Sequence, residues 1–428
     1  MNILLTGATG FIGDSVLRAL LQAGHCVSAC CRQPERLLSQ SDLLTPVRID
    51  FATADTEAAW LPHLDGIDAI INCVGIIGET KNQTFAQLHS AAPIALFNAG
   101  IQAGVGKIIQ VSALGADAQA ESVYHLSKRA ADDALRALPV AWFVLQPSVV
   151  YGDRASSSAL FHALAALPVH VLPDGGGQEL QPVHVDDLVA VILRCLEPAT
   201  PSNTTLAVVG PEAIPYKTLL QKLRRRLGKG TAFSFSLPQP YVLMAASFGK
   251  YLGEPILSKD NIAMLSRGNT ASPEAITSLL GRPPVSMVKQ LFEKIATDAE
   301  RWQAQLYFFK PALHFAIALV WLWSGIVSLF YPLDLSYQLL DSIGGDRSWA
   351  AFLQYGLAAL DIGLGVLTLA AYRQQNVLSV QIAVVVAYTL VVGLALPQFW
   401  LHPFGPLLKN LPFLLSLLIY KQLLGGKA

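Results

Sequence analysis

The stretch TGATGFIG, Thr6 to Gly13, decides the fold. It follows a short apolar run, Asn2 to Thr6, and precedes DSVLRALLQAGH, whose apolar residues recur at helical spacing. Strand, glycine turn and helix in succession raise such a glycine pattern above coincidence. Gly7 permits the tight turn, Gly10 lets a pyrophosphate approach the backbone, and Gly13 lets the helix pack closely on the strand. The turn residues Gly7, Thr9, Gly10, Phe11, Ile12 and Gly13 are therefore candidate contacts to a dinucleotide.

The next strand, HCVSACC, ends at Arg32, and no Asp or Glu follows until Glu35. An acidic residue there accepts hydrogen bonds from the adenosine ribose, whereas a basic one faces a 2′-phosphate. Arg32 thus favours NADP(H) over NAD(H), the alternative being an ordinary surface arginine. The alternation continues with PVRIDF as a third strand, where Asp50 is placed to meet the adenine side, and DAIINCVG as a fourth. A helix APIALFNAGIQAG, a strand KIIQVSALGA, a helix SVYHLSKRAADDAL and a strand AWFVLQPSVVYG complete it. Such alternation implies an α/β fold with a doubly wound parallel sheet. The ligand crevice then lies at the carboxyl ends of the strands, where Val74, Gly75, Ser112 and Pro147 fall.

Tyr124 and Lys128 stand four apart on one helix and so share a face. By itself the spacing means little, because such pairs often only pack or solvate. In company with TGATGFIG, NCVG, VSALGA, YHLSK, QPSVVYG and QPVHVDDL, however, residues 1–306 resemble an extended or atypical short-chain dehydrogenase/reductase, from the superfamily of nucleotide-sugar epimerases and dehydratases. The resemblance implies a Rossmann-type domain in which Tyr124 is the general acid/base. Lys128 would bond the nicotinamide ribose and lower the phenol's pKa, and Ser112 would polarise a substrate carbonyl. Hydride would pass between C4 of the nicotinamide and a substrate carbon.

Departures are visible. Extended members commonly place the helper hydroxyl two residues further on, where this chain has Leu114, and NCVG replaces Asn-Ala-Ala-Gly. The segment from Ser112 to Tyr124 is short. This arrangement is most similar to the atypical group that includes the accessory NAD(P)H-binding subunit of respiratory complex I, whose members can hold the nucleotide without known turnover. Tyr124 either transfers a proton or packs beside a bound cofactor; Lys128 serves both cases.

Beyond Ala155 the sequence continues the same domain. His184 and Asp186, in PVHVDD, invite a metal or triad reading, but the resemblance makes them structural, and no metal site is expected. IPYKTLLQKLRRRLG and PYVLMAASFGKYLG are expected helices of a small α/β substrate lobe at about residues 202–300. Their shortage of polar residues points to a small hydrophobic or lipid-like ligand. The basic cluster Leu223 to Lys229 suits a solvated face or one leaning toward anionic lipid, and a net charge of zero argues against a nucleic-acid surface. The five cysteines, Cys26, Cys30, Cys31, Cys73 and Cys195, lack metal-ligand spacing and are expected to be reduced core thiols. The start, MNILLTGATG, has no basic leader and suits a first strand.

The composition is wrong for a soluble protein throughout: 53% of residues are hydrophobic and 14% charged, with a mean hydropathy of +0.44. The excess lies after Tyr307, where the only acidic residues are Asp334, Asp341, Asp346 and Asp361. Four apolar stretches, Pro311 to Tyr331, Trp349 to Tyr372, Val377 to Leu396 and Phe404 to Leu424, are each long enough for an expected all-α bundle of four transmembrane helices. Aromatic residues such as Trp323, Tyr331, Trp349, Tyr372, Trp400 and Tyr420 lie near their ends. Arg301, Lys310, Arg373, Lys421 and Lys427 fall on one side, and only Arg347 and Lys409 on the other. This bias makes the nucleotide domain and both termini cytoplasmic, in the inner or plasma membrane.

Residues 307–428 resemble a DoxX-like domain, chiefly through LHPFGPLLKNLPFLL, Leu401 to Leu415. Asp361 and Lys409 are its intramembrane charges, expected to pair with each other or, for Lys409, to reach the interface. Two functions remain open. One is a membrane-tethered oxidoreductase for a hydrophobic carbonyl, alcohol or quinone-like compound; the other is a non-catalytic nucleotide-binding module that regulates or assembles a membrane redox complex. No protein partner is named by the sequence.

Overall fold

A computed structural model describes residues 1–37, 41–80, 82–152, 155–249, 264–265 and 267–425. These residues fall into two compact units, Met1–Gln305 and Leu306–Ala428.

The first unit is built on seven parallel strands. In chain order they are β1 Asn2–Thr6, β2 Cys26–Cys31, β3 Leu44–Arg48, β4 Ala69–Asn72, β5 Lys107–Val111, β6 Ala141–Pro147 and β7 Thr204–Val208. In space they run β7-β6-β5-β4-β1-β2-β3. The order reverses between β1 and β4, the switch point at which an open α/β sheet leaves a crevice beyond its strand ends.

Period-2 alternation divides the buried residues between two cores. Ile3, Leu5, Ile71, Ile109, Phe143 and Leu145 face one side, with Val16, Leu17 and Leu20 of helix α1 (Phe11–Gln22). Leu4, Ile70, Ile108 and Val144 face the other, with Leu96 and Phe97 of α2 (Ala92–Gln102) and Ala131 and Leu135 of α3 (Val123–Arg136). Both faces are thus covered, as parallel strands require.

PVRIDF does not extend as far as expected. β3 stops at Arg48, and Asp50 caps a turn, accepting from the amide of Ala52 at 3.0 Å. The reason is Phe51, which turns inward to stack edge-on against Trp60. Cys26 is exposed, so it is not a core thiol, and all five cysteines are free.

The small lobe is assembled from both sides of residue 202. Helix α4 (Ser156–Ala166) and strand Val169–Pro173 join helix α6 (Tyr216–Arg226) and strand Phe233–Leu237, around Leu172, Leu219, Leu220 and Leu223. Thr204–Val208 belongs instead to the main sheet, paired with β6. Between them, α5 (Val185–Leu196) starts at His184, which caps it by accepting from the amide of Asp186 at 3.3 Å. The helix expected over PYVLMAASFGKYLG is described as Gln239–Gly249; its last residues lie outside the described residues, as does Lys427.

The second unit holds helices α7 (Phe309–Phe330), α8 (Ala350–Leu369), α9 (Gln374–Ala395) and α10 (Asn410–Gly425), with a short helix Asp334–Ser342 between the first two. Three helices are long and apolar enough to cross a bilayer: Phe309–Phe330, Arg347–Leu369 and Gln374–Ala395. The expected fourth span differs. Its helix begins only at Asn410, giving 16 residues, or about 24 Å at 1.5 Å per residue, short of the roughly 30 Å of a hydrocarbon core. Pro403, Gly405 and Pro406 keep the preceding segment out of the helix.

Asp361 is buried in this bundle and accepts hydrogen bonds from the hydroxyls of Ser324 on α7 (2.9 Å) and Tyr388 on α9 (3.0 Å). Lys409 is exposed, and among the described residues the two form no ion pair. The hydroxyls satisfy the carboxylate from within the bundle, which removes the need for a cation.

Candidate functional site

Gly7 has φ +72, and an added Cβ would stand 3.1 Å from the backbone of Cys73. An added Cβ on Gly13 would lie 2.1 Å from the carbonyl oxygen of Gly7, so only glycine lets α1 start this close to the turn. Gly10 donates its N–H to that same oxygen at 2.9 Å and is the residue before the first helical turn. Thr9 and Gly10 are exposed, with Phe11 and Ile12 half-buried behind them. The first-turn amides of a helix lack helical acceptors, and their partial positive charge suits a pyrophosphate.

A polar ladder fixes the neighbouring strand ends. Buried Thr6 donates to Asn72 Oδ1 at 2.6 Å, and Asn72 Nδ2 donates to Gln110 Oε1 at 2.7 Å. Asn72 Oδ1 also accepts from the amide of Val74, which shapes the NCVG loop and leaves Gly75 exposed.

Lys128 reaches this loop from α3. It is buried, and its ammonium donates to the carbonyls of Val74 (3.1 Å) and Val111 (3.2 Å). An added Cβ on Gly75 would stand 3.1 Å from Lys128 Nζ, so a larger residue there would press on the ammonium. Burial pulls the pKa of Lys128 down to about 8, while the charge of Asp132 resists the fall.

Tyr124 lies one turn earlier. Its half-buried ring is gripped edge-on by Phe85 (5.7 Å between centroids) and His89 (5.3 Å). Its hydroxyl makes no hydrogen bond among the described residues. Burial, with the charge of Asp132, pushes the phenol up to about 12. The expectation that Lys128 lowers it is thus corrected: desolvation outweighs the cation, which is occupied by two carbonyls.

Ser112 requires a second correction. It is buried, and its hydroxyl donates to Asp132 Oδ2 at 2.5 Å, so it faces the helix rather than the crevice. In this arrangement that hydroxyl is engaged by Asp132. Leu114, where a helper hydroxyl would sit, gives only its amide, to the carbonyl of Pro147. Pro147 itself is buried at the end of β6.

Sequence reading missed two residues at this site. Asp132 is fully buried, and desolvation raises its carboxyl to about 6, against the opposing pull of Ser112 and Lys128. Its signal was present, since Tyr124, Lys128 and Asp132 follow at successive i, i+4 steps. His89 is also fully buried; its Nε2 accepts from the amide of Ile76 (3.0 Å) and its Nδ1 lies 3.0 Å from Ser127 Oγ. Burial, helped by Lys128, lowers it to about 2, so it stays neutral and clamps the NCVG loop to α3. Its sequence context, AQLHSAAP, gave no hint.

Arg32 is exposed past the end of β2. Arg48, at the end of the adjacent β3, donates to the Arg32 carbonyl at 3.4 Å and pairs with Glu35 at 3.1 Å. His184 lies 5.0 Å from the ring of Tyr151 and 3.3 Å from Gln290 Nε2, held as a structural cap. No cluster of three metal-ligating side chains occurs among the described residues.

This glycine turn, open strand-end crevice and inserted lysine fit a nicotinamide dinucleotide, and the similarities to known proteins agree. Residues 7–196 match the NAD(P)H-binding family, and residues 318–418 match the DoxX-like family. The chain therefore joins an NAD(P)H-binding domain to a DoxX-like domain with three helices long and apolar enough to cross a membrane, an oxidoreductase-like module. Among relatives, it is 24% identical to the NADH-ubiquinone oxidoreductase 40 kDa subunit, mitochondrial, of Neurospora crassa, over 63% of this chain and 72% of that one. It is 26% identical to a ceramide reductase of Caulobacter vibrioides, over 57% of this chain and 76% of that one. Among solved structures, an NADPH-dependent quinone oxidoreductase from Escherichia coli, complexed with NADPH, aligns with a TM-score of 0.54 at 21% identity. That alignment covers 68% of this chain and 98% of the other, and it speaks for the fold.

Proposed function

We propose that the chain is a membrane-anchored NADPH-dependent reductase of an apolar carbonyl or quinone-like compound. The observation that carries this reading is the free hydroxyl of Tyr124, one turn from the Lys128 ammonium at the strand-end crevice. The turn from Gly7 to Gly13 would hold the pyrophosphate, Val74 and Gly75 would lie along the nicotinamide half, and Lys128 would bond its ribose. The bound nucleotide supplies hydride to the substrate carbon.

Tyr124 then donates its phenolic proton to the substrate oxygen, and with a phenol at about 12 it is held as an acid rather than a base. Phe85 and His89 fix the ring so that the hydroxyl keeps its direction. Lys128 trades a backbone carbonyl for the ribose. Arg32, exposed past the end of β2 with no acidic residue ending that strand, supports NADP(H) over NAD(H); Arg48 beside it is paired with Glu35. The ceramide and quinone reductases among the similar proteins support a substrate with apolar parts.

In this reading residues 1–306 form the cytoplasmic nucleotide domain and 307–428 the membrane domain, with α10 and the apolar segment before it completing a fourth span. The bias of Lys310, Arg373 and Lys421 toward one end supports this orientation.

A second reading is favoured by Ser112, whose engagement with Asp132 leaves the crevice without a second hydroxyl. Under it the nucleotide is held without turnover, as a structural or redox-sensing ligand of a membrane complex. The purified chain in detergent separates the two. Under the reductase reading, NADPH oxidation with a short-chain quinone or a long-chain ketone falls 10²- to 10⁴-fold in Tyr124→Phe while NADPH binding persists. Equal turnover in the variant and the native chain would remove the mechanism.

A further inference from the structure

In the small lobe, strand Val169–Pro173 pairs in parallel with Phe233–Leu237, in the register Phe233 opposite Val169 and Phe235 opposite Val171. The side chains run the wrong way for a face in water. Val169 and Val171 point outward while His170 and Leu172 are buried; in the partner strand, FSFSL, the phenylalanines point outward and Ser234 is the half-buried residue between them. Phe233 is 71% exposed, and its ring lies 6.4 Å from that of Phe235. Tyr241 and Met244, on the helix that follows, are exposed as well. A strand with one wet face normally turns its serines outward, and a continuous apolar face of this kind marks an interaction surface.

The charge around it selects the partner. Arg224 donates to the carbonyls of Ala165, Ala166 and Leu167, which brings the basic end of α6 to the start of this ribbon. Arg225 is exposed there, and Lys229 follows, its amide bonded to the carbonyl of Arg224. Neither residues 156–173 nor residues 213–238 contain an Asp or Glu. The exposed Asp174 follows the first strand, where its carboxylate accepts from the amide of Gln239 at 3.1 Å, so the basic rim lies at the Val169 and Phe233 end of the ribbon; large apolar side chains beside such a rim match hydrocarbon beneath anionic phosphates. The same chain carries three helices long and apolar enough to cross a membrane, so the lobe is covalently linked to a membrane-type unit.

We infer that the ribbon of Val169, Val171, Phe233 and Phe235 docks on the anionic surface of the bilayer, with Arg225 and Lys229 on the lipid phosphates. The inference rests on the membrane anchoring and is independent of whether Tyr124 transfers a proton. It gives the small lobe a defined task, holding the nucleotide domain at the depth where an apolar substrate resides.

The test uses the full chain in nanodiscs, with an environment-sensitive NBD label on Phe233→Cys in a Cys26→Ser background, and a second label on Tyr241→Cys. In phosphatidylcholine discs containing phosphatidylglycerol, doxyl-lipid quenching at Phe233→Cys and Tyr241→Cys is expected to exceed that at an exposed control, Asp65→Cys, by at least threefold. Reversing charge with Arg225→Glu and Lys229→Glu, or omitting phosphatidylglycerol, is expected to lower it at least twofold. Quenching no greater than at the control would overturn the inference, as would quenching indifferent to both charge changes. Shielding of the label in lipid-free detergent that grows with protein concentration would assign the face to a second copy and likewise overturn it. NADPH oxidation plays no part in the readout.

Discussion

Asp132 in the first unit and Asp361 in the second are both buried, and the two are treated differently. Asp132 has one hydroxyl partner, Ser112, and an ammonium one helical turn away on the same helix face. Asp361 has two hydroxyl partners, Ser324 and Tyr388, from two other helices, and no cation among the described residues. The first arrangement adjusts the charge state of a crevice; the second ties three helices together. A buried carboxylate is costly in either setting, and what it is bonded to decides whether the cost serves a site or an architecture.

The comparison can be broken most forcefully at Asp132. Asp132→Leu strips the carboxylate from beneath Lys128 and leaves the Ser112 hydroxyl buried without its acceptor. We expect a loss of about 3–5 kcal/mol in the stability of the first unit, read by urea unfolding of the detergent-solubilised chain. A loss below 1 kcal/mol would mean that Asp132 is no part of a coupled array.

Asp361→Ala is the counterpart. Removing an acceptor from two interhelical hydrogen bonds should cost about 1–2 kcal/mol, because such bonds in a membrane are each worth roughly 0.6 kcal/mol and seldom above 1.7. Asp361→Asn, which keeps one acceptor, should cost less. An equal loss from both would indicate that the charge, rather than the tie, matters there.

A pH series sharpens the contrast. Asp132 has its folded-state pKa raised from 3.8 to about 6, so its contribution is fully present below 3.8 and is lost as pH rises through 6. Lys128 has its pKa lowered from 10.5 to about 8, so its contribution is present above 10.5 and is lost as pH falls through 8. Hydrogen exchange of α3 amides in the nucleotide-free chain should therefore show a stability minimum between about pH 6 and 8. Asp132→Asn should abolish the acid limb and leave the alkaline one, shifted to lower pH because Lys128 loses its counter-charge. A profile flat across this range would contradict the arrangement.

The smallest effect concerns cofactor choice. Arg32→Ala should weaken NADPH binding about tenfold, near the 1.4 kcal/mol of one surface phosphate contact, and NADH binding by less than twofold. Equal weakening would remove the 2′-phosphate assignment.

The sheet was legible from its alternation, since TGATGFIG, NCVG and VSALGA each mark a strand end by local chemistry. The inward face of α3 was half legible: Tyr124 and Lys128 were found by their spacing, and Asp132 lay one further step along it. The bond of Ser112 to Asp132 was not legible, because it depends on a helix twenty residues later, a contact that no local pattern records. His89 was invisible for the same reason, its partners lying on a loop and another helix. In the membrane unit the apolar runs gave the first three helices to within a few residues. The fourth was overextended because Gly405 and Pro406 sit inside a run whose hydropathy hides them. The small lobe was drawn too late in the chain because Thr204–Val208 reads the same in sequence whether it joins the lobe or the main sheet.

In the proposed reading the strand-end crevice holds the nicotinamide half of the nucleotide on Lys128, with Tyr124 beside it for chemistry and not for binding. Titration of NADPH into the detergent-solubilised chain tests this directly. Lys128→Met should weaken binding at least tenfold and Tyr124→Phe by less than twofold; unchanged binding in Lys128→Met, or a larger loss in Tyr124→Phe, would contradict the account.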